Sequence, residues 1–411
     1  MSAVVQQAVT GAGAAVRRRM WWRVWGAVVV SSWGGNQFSP LLVMYEDREH
    51  YSTVATTLFL GLYVIGLAPA LLVAGSLSDR HGRRPLLIAG VAAGVIGSAL
   101  LALGELGPEF LALGRLFSGF TVGAAVAVGT SWIKELSDPE WDPSARPGAG
   151  ARRASLAFLL GSAGGACVAG VLAQFAPLPE VLPYVVHCLV AAPFLVVLLR
   201  TPETHRSGGV PGPWWRQLRV PSAGHRRFRR VVLLVGPWIF VAYALGYGYL
   251  PTQLREATGS GALLFATLAS GVALGASSAV QPIAKRLHTE RSARALTAGL
   301  LALTVGMALV PPAIALQSLA VGVVANVIIG AGAGICLVSA LQEVQRIATT
   351  ADLAGLTGRF YAVAYAGFLA PSVISAVALL VPVQLVLWIV VGVAAASLVL
   401  LQLTSRRHPV G

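Results

Sequence analysis

The sequence predicts an all-α membrane protein whose twelve transmembrane helices form two pseudo-symmetric bundles of six. Three observations predict this class: the composition, the spacing of apolar runs and the distribution of basic residues. Of the 411 residues, 56% are hydrophobic and only 11% are charged, whereas a soluble domain carries about 25% charged residues. A soluble core cannot bury so much apolar surface, so lipid must surround most of the chain.

Apolar runs of roughly 18–25 residues, the length that crosses a bilayer, set the positions of the spans. Six runs fall in the first half of the chain, at 22–45, 54–75, 85–104, 110–133, 154–175 and 182–200. Six more follow at 230–251, 262–283, 293–311, 316–341, 358–380 and 384–403. We therefore predict an N-terminal bundle at 1–200, a cytoplasmic linker at 201–229 that is rich in Pro, Gly and Arg, and a C-terminal bundle at 230–411.

Basic residues give an independent test of this topology. With both termini in the cytoplasm, 27 of the 30 Lys and Arg residues fall on the inner side, as the positive-inside rule requires. This distribution explains the net charge of +14 without a nucleic-acid partner. We expect a multi-pass protein of a bacterial plasma membrane. The three cysteines lie in apolar runs, and no spacing of ligands predicts a metal site.

The loop between spans two and three carries the most specific motif, Gly-Ser-Leu-Ser-Asp-Arg-His-Gly-Arg-Arg at 75–84. It matches Gly-x-Leu-x-Asp-Arg-x-Gly-Arg-Arg/Lys at every defined position, so the chain resembles the major facilitator superfamily. A loop that only fixes orientation would need the arginines but not the aspartate or the glycines. The resemblance implies a gating role for seven residues: Gly75, Asp79, Arg80, Gly82, Arg83, Arg84 and, at the inner end of span four, Glu135.

The resemblance also implies alternating access, with Asp79 approaching the N-terminus of span eleven, near 355–358, when the outer side is open. Span four reads Arg115-Leu-Phe-Ser-Gly119-Phe-Thr-Val-Gly123, which is similar to a second motif of the superfamily. At an offset of 211 it aligns with Asn326, Gly330 and Gly334, as expected of internal repeats.

Span five is similar to the superfamily's antiporter motif, Gly-x-x-x-Gly-Pro-x-x-Gly-Gly. Gly161 and Gly165 match it, but Ala166 replaces the proline and Ala169 replaces the first terminal glycine. The motif favours exchange of substrate for another solute, and close packing of helices is the other explanation for its glycines.

Polar and aromatic side chains within the spans predict the substrate site. Unpaired amides are costly in hydrocarbon, and transporters bind substrate near the midplane, so these side chains should face the space between the bundles. Packing or interfacial anchoring is the alternative explanation for each aromatic residue. The predicted binding residues are Asn36, Gln37, Trp238, Tyr243, Tyr247, Asn326, Tyr361 and Tyr365.

No carboxylate falls in the middle of a predicted span, so a proton pathway must use other groups. His187 in span six ionises near neutral pH in its unperturbed form, although a packing hydrogen bond also explains it. Arg115 is an intramembrane cation, whose charge could tune Glu109 or Glu46, or which could snorkel to the outer surface.

These observations predict a secondary transporter that exports a small hydrophobic compound, such as a drug or secondary metabolite, in exchange for protons. The alternative is an importer or facilitator of a small neutral nutrient. A membrane enzyme or receptor is disfavoured, because no acids, histidines or metal ligands converge at one depth. We expect no cofactor and a monomer whose partners are its substrate, protons and membrane lipid.

Overall fold

The computed structural model describes residues 20–205, 220–287, 293–349 and 352–407, which form helices and no strand. Eleven helices in these ranges are long and apolar enough to cross a membrane. We number them as spans two to twelve: Thr53–His81, Arg83–Leu101, Pro108–Glu135, Ala149–Phe175, Leu182–Leu199, Phe228–Gln253, Arg255–Ala284, Arg294–Ala315, Leu319–Ile347, Gly355–Val377 and Val383–Thr404. The all-helical fold that the sequence predicts is confirmed.

Span one differs from the continuous run predicted at 22–45. A helix at Trp21–Asn36 is followed by a 3-10 turn at Ser39–Leu41 and a short helix at Leu42–Arg48. Pro40 lies in the turn and has no amide hydrogen to donate, so the α-helical ladder cannot continue through it. The first crossing is therefore a broken helix that extends beyond residue 45.

We call spans one to six the first half and spans seven to twelve the second half. Equivalent glycines pack both halves. A Cβ on Gly119 of span four would overlap the Tyr63 carbonyl oxygen of span two, and one on Gly330 of span ten would overlap the Ala273 carbonyl oxygen of span eight. Only glycine permits these approaches, so the predicted repeat has a structural basis.

With inner and outer taken from the orientation that the sequence predicts, spans five and eight of the two halves pack most closely toward their outer ends. Near the outer end, a Cβ on Gly170 would overlap the Thr267 side chain, and Gln174 donates to the Ser260 carbonyl at 3.3 Å. Further inward, Gly164 and Gly275 each face open space. This face of the molecule is closed on the outer side.

The predicted linker at 201–229 is described only at its ends, because residues 206–219 lie outside the described ranges. Its first part, 201–205, packs on the first half. Its last part includes a 3-10 turn at Pro221–Gly224, where the Ser222 amide donates to Asp352 of the second half at 3.1 Å. The position of the boundary between the bundles stays a prediction, as does the location of both termini.

Candidate substrate site and gates

Aromatic rings from spans two, seven and eleven meet where the two halves join. Phe240 of span seven stacks on Tyr365 of span eleven, with 3.8 Å between the ring centroids. Tyr63 of span two packs against Tyr365 and Phe368, each at 6.1 Å. We call this set the aromatic seam; its members are Tyr63, Phe240, Tyr243, Tyr247, Tyr361, Tyr365 and Phe368.

The seam contains four of the five aromatic residues that the sequence predicts for substrate binding. Trp238 is the fifth; it is half-buried against the same apolar core. The sequence reasoning missed Tyr63, Phe240 and Phe368. Their hydropathy resembles that of lipid-facing residues, so only packing between distant spans distinguishes them.

The three predicted amide residues bond within their own halves. Asn36 is half-buried and donates to the Ser162 hydroxyl of span five at 3.1 Å. Asn326 is fully buried and donates to the Gly246 carbonyl of span seven at 3.1 Å. Gln37 is fully buried and donates to the Ser98 hydroxyl of span three at 2.8 Å. None of them points at lipid, but these contacts connect helices within each half.

His187 lies at the end of a buried chain of hydrogen bonds in the first half. Its Nε2 lies 2.9 Å from the Val30 carbonyl, and its Nδ1 lies 2.7 Å from the Ser98 hydroxyl. A carbonyl only accepts, so Nε2 must carry the hydrogen. Ser98 already accepts from Gln37, so its own hydrogen is available to Nδ1. This network fits a neutral imidazole that holds spans one, three and six together.

Arg115 is buried in the first half and is 1% exposed. Its guanidinium donates to the carbonyl oxygens of Phe59 and Gly35, each at 3.1 Å, and lies 4.8 and 4.7 Å from the ring centroids of Phe38 and Tyr63. Carbonyl dipoles and ring faces therefore stabilise this cation. The interaction predicted with Glu109 or Glu46 is not seen among these contacts, and Arg115 does not snorkel to the surface.

The predicted gating motif forms an ion network at the inner end of the first half. Arg83 donates to Glu135 at 2.9 and 3.1 Å and to Asp79 at 2.6 Å. Its side chain is largely buried, at 12% exposed. Gly75 lies about one turn before Asp79 on span two, and Arg80 is half-buried beside it. Arg83 and Glu135 are therefore in contact, and their gating role stays a prediction.

Gly82 joins spans two and three with a φ of +94°, a conformation that favours glycine. A Cβ there would lie 2.5 Å from the Glu203 carboxylate, which accepts hydrogen bonds from the backbone amides of Arg83 and Arg84, both at 2.9 Å. This carboxylate caps the N-terminus of span three. The Arg84 side chain turns away and donates to the Leu199 carbonyl at 3.1 Å.

The segment after span six adds two more contacts that the sequence reasoning missed. The Thr204 hydroxyl donates to Glu135, and the His205 Nε2 lies 2.8 Å from the Asp79 carbonyl oxygen. With Glu203, these residues hold the beginning of the predicted linker against the gating loop. Their partners are more than 60 residues away in sequence, and no repeat or motif signals the contact.

Asp79 does not contact span eleven in the described hydrogen bonds and ion pairs. A Cβ on Gly358 of span eleven would lie 2.9 Å from the Leu71 carbonyl, about two turns before Asp79. The approach of Asp79 to 355–358 is predicted for a molecule open on the outer side. The outer ends are joined here, so the approach stays a prediction.

The second half has its own inner ion pair. Arg227, at the start of span seven, donates to both oxygens of Glu343 in span ten, each at 2.7 Å. The Glu343 side chain is 1% exposed, and Arg346 also donates to it at 3.0 Å. Glu343 follows Glu135 by 208 residues and occupies the equivalent inner end. The cation comes from a different span, which is why the repeat did not reveal it.

At the outer surface, Arg255 of span eight reaches the end of span one. Its guanidinium lies 3.2 Å from the Glu46 carboxylate and also contacts Asp47. The Glu46 side chain is 3% exposed and accepts from the Thr56 hydroxyl at 2.8 Å. A charged contact therefore joins the halves on the outer side.

The sequence matches a known family of proteins. The sequence profile of the Major Facilitator Superfamily matches residues 24–371. No curated protein sequence is significantly similar to the chain.

Three solved transporter structures illustrate the likeness in fold. A POT family transporter in complex with 5-aminolevulinic acid is 12% identical, with a TM-score of 0.76 over 95% of this chain and 96% of that one. The human organic anion transporter MFSD10 is 19% identical, with a TM-score of 0.64 over 94% and 99%. A D-xylose-proton symporter is 16% identical, with a TM-score of 0.67 over 92% and 95%.

Proposed function

Because the chain belongs to the Major Facilitator Superfamily, a family of membrane transporters, we propose that it exports a small hydrophobic compound in exchange for protons. A drug or a secondary metabolite has the required chemistry. The observation that carries this proposal is the aromatic seam between the two halves. Stacked and edge-on rings at the junction of two bundles suit a flat, apolar substrate.

The charges around the seam support an uncharged or weakly polar substrate. Its seven members are all Tyr or Phe. The cation that touches it, Arg115, is covered by Tyr63 and Phe38 and bonded to backbone carbonyls. A strongly anionic substrate would have to displace these contacts, at a cost in desolvation.

The packing of spans five and eight supports alternating access. The outer ends are joined at Gly170 and Thr267, whereas Gly164 and Gly275 face open space further inward. A rocking motion of one half against the other would exchange which end is closed. The outer contact of Arg255 with Glu46 would break in that motion.

The antiporter-like motif of span five supports the exchange of substrate for protons only in part, because two of its positions are replaced. A Cβ on Gly161 would lie 2.3 Å from the Val29 carbonyl, and one on Gly165 would lie 2.6 Å from the Trp33 ring. Both glycines of the antiporter-like motif therefore allow close contact with span one. The replacements at Ala166 and Ala169 favour the second candidate, an importer or facilitator of a neutral nutrient.

Proton coupling needs a group that senses the gradient. The hydrogen bonds of His187 favour a packing role, because both ring nitrogens are already engaged. Arg115 is then the remaining group of the two that the sequence puts forward. It keeps its charge, so coupling would also need a carboxyl that binds and releases the proton, such as Glu46 in its ion pair with Arg255.

The test is flux into proteoliposomes under imposed pH gradients of both signs. The compounds are a panel of neutral aromatic molecules, with D-xylose and a nucleoside as polar comparators. We expect aromatic compounds to accumulate when the lumen is acidic, because outward proton movement drives exchange. Accumulation driven by an acidic outer medium would indicate symport. Equilibration that ignores the gradient would indicate a facilitator, and transport of the polar comparators alone would exclude the aromatic site.

A further inference from the structure

A cavity of about 480 Å³ opens at the inner membrane surface of the first half, away from the aromatic seam. The inner ends of three spans form it. Met20 precedes span one, Arg84 begins span three, and Leu199 and Arg200 lie at the end of span six. Because these spans end here, the cavity lies at the expected inner boundary of the membrane.

The walls of this cavity divide by chemistry. Met20, Trp141 and Leu199 supply apolar and aromatic surface, and the Leu199 side chain is 59% exposed toward the surroundings. Arg84 and Arg200 are the two basic residues that line the same cavity. Tryptophan and arginine together are typical of the interfacial zone of a membrane protein.

Among the described residues, the two cations have no acidic partner. Within the described ranges, no carboxylate pairs with the Arg200 side chain, and Arg84 donates to the Leu199 carbonyl rather than to an acid. The Glu203 carboxylate follows the cavity along the chain, but it is bonded to the backbone amides of Arg83 and Arg84. Arg23 adds positive charge nearby, since it donates to the Arg200 carbonyl at 2.6 Å.

We propose that this cavity binds the phosphate of an anionic phospholipid from the inner leaflet. The guanidinium groups of Arg84 and Arg200 would hold the phosphodiester, because arginine presents paired donors that match phosphate oxygens. Met20, Trp141 and Leu199 would contact the glycerol backbone and the first acyl carbons. These apolar walls select a lipid over a soluble phosphate, whose polar surface gains nothing from them.

The site would also connect lipid composition to the gating loop. Arg84 belongs to both the cavity and the predicted gating motif, and its backbone amide is held by Glu203. A lipid that fixes the Arg84 side chain would therefore stabilise the start of span three in the arrangement described above.

The experiment measures lipid binding by the full chain in nanodiscs that contain phosphatidylglycerol or phosphatidylcholine with brominated acyl chains. Bromine quenches nearby tryptophan, so the difference between the unmodified protein and Trp141→Phe reports contact at this cavity. We expect stronger quenching of Trp141 by phosphatidylglycerol, and roughly fivefold weaker phosphatidylglycerol binding for Arg200→Gln, as expected for one interfacial arginine. Arg48→Gln, which removes an arginine from the outer surface, is the matched control and should bind as the unmodified protein does.

Three results would overturn the proposal. Equal quenching of Trp141 by both lipids would show that the headgroup charge is not recognised. Equal loss of binding in Arg200→Gln and Arg48→Gln would show general electrostatic attraction instead of a site. If inorganic phosphate or glycerol 1-phosphate displaces phosphatidylglycerol when present at the same concentration as the lipid, the cavity binds a soluble anion instead. Arg200 is exposed, so its replacement should fold, and the thermal unfolding midpoint checks this.

Discussion

The Arg255 guanidinium of span eight lies 3.2 Å from the Glu46 carboxylate of span one, so an ion pair crosses between the halves at the outer surface. The pair depends on the negative charge of Glu46, whose side chain is only 3% exposed. Protonation removes its attraction for Arg255. As the pH falls, the outer ends should therefore separate more often.

Glu46→Gln should imitate the protonated state at every pH and favour the separated outer ends by roughly fivefold, since a partly exposed ion pair contributes about 1 kcal/mol at most. Spin labels at Leu106→Cys and Leu316→Cys, both on exposed outer turns, measure the separation after Cys167, Cys188 and Cys336 are replaced by alanine. Glu256→Gln is the control, because Glu256 is an exposed outer acid that makes none of the described ion pairs. An unchanged pH response in Glu46→Gln would contradict the prediction.

The gating network predicts the behaviour of Asp79→Asn. Removing this charge weakens the contact with Arg83 and leaves the Glu135 pair in place, so the protein should be expressed while flux falls roughly tenfold, or about 1.4 kcal/mol. Initial flux in proteoliposomes, normalised to inserted protein, is the measurement. Asp138→Asn alters an exposed acid in the next inner loop and should transport normally. Equal flux in both variants would show that Asp79 has no role in gating.

Tyr365 occupies the centre of the aromatic seam, between Phe240 and Tyr63. Tyr365→Leu removes the ring faces and should weaken the binding of an aromatic substrate by roughly fivefold to tenfold, as expected for one aromatic contact. Tyr365→Phe keeps the ring and should bind nearly normally. Trp388→Leu, on a half-exposed face of span twelve, is the control for loss of an aromatic residue elsewhere. The measurement is the dissociation constant of a radiolabelled aromatic compound in a filter-binding assay. This assay does not use tryptophan fluorescence, so the loss of Trp388 does not affect it.

The pair of Arg227 and Glu343 is buried, so breaking it should be costly. Glu343→Ala leaves an uncompensated guanidinium and should lower the free energy of unfolding by about 3 kcal/mol. Arg346→Ala removes a more exposed partner of the same carboxylate and should have a much smaller effect. Thermal unfolding midpoints in detergent compare the two variants. Equal midpoints would mean that the buried pair contributes no more than the exposed one.

His187→Gln tests whether the imidazole carries protons or holds helices. Its two hydrogen bonds connect Ser98 and Val30, so we expect lower stability, by about 1 kcal/mol, and an unchanged response of flux to the pH gradient. Ser98→Ala, which removes the middle of the same chain, should have a similar effect. If His187→Gln abolishes gradient-driven flux and Ser98→Ala does not, the histidine belongs to the proton pathway.

Most of the fold is predictable because lipid imposes a simple rule, in which each crossing needs a long apolar run. Span one shows the limit of that rule. Residues 22–45 form a single apolar run in the sequence. In the structure, Pro40 interrupts the backbone hydrogen bonds and breaks the helix. The contact of Arg83 with Glu135 joins two residues that the family resemblance assigns to the same gate.

The rest of the site depends on packing between distant segments. Tyr63 and Phe368 have the hydropathy of lipid-facing residues, and only the approach of span two to span eleven brings them together. Glu203 lies in a polar segment, where the sequence does not distinguish it from other acids. Its capping role follows from the backbone amides that donate to it. Arg227 replaces a cation that the repeat would place on another span.

The rings of the aromatic seam bury one another in the structure described here, since Tyr63 and Phe240 both pack against Tyr365. Entry of a flat compound is therefore an exchange, in which ring–ring contacts are replaced by ring–compound contacts of similar strength. Such a swap gains little free energy from any one compound and rejects few of them. For the substrate class proposed above, weak binding and broad acceptance would then have a single origin, and a compound between the rings would push the two halves apart.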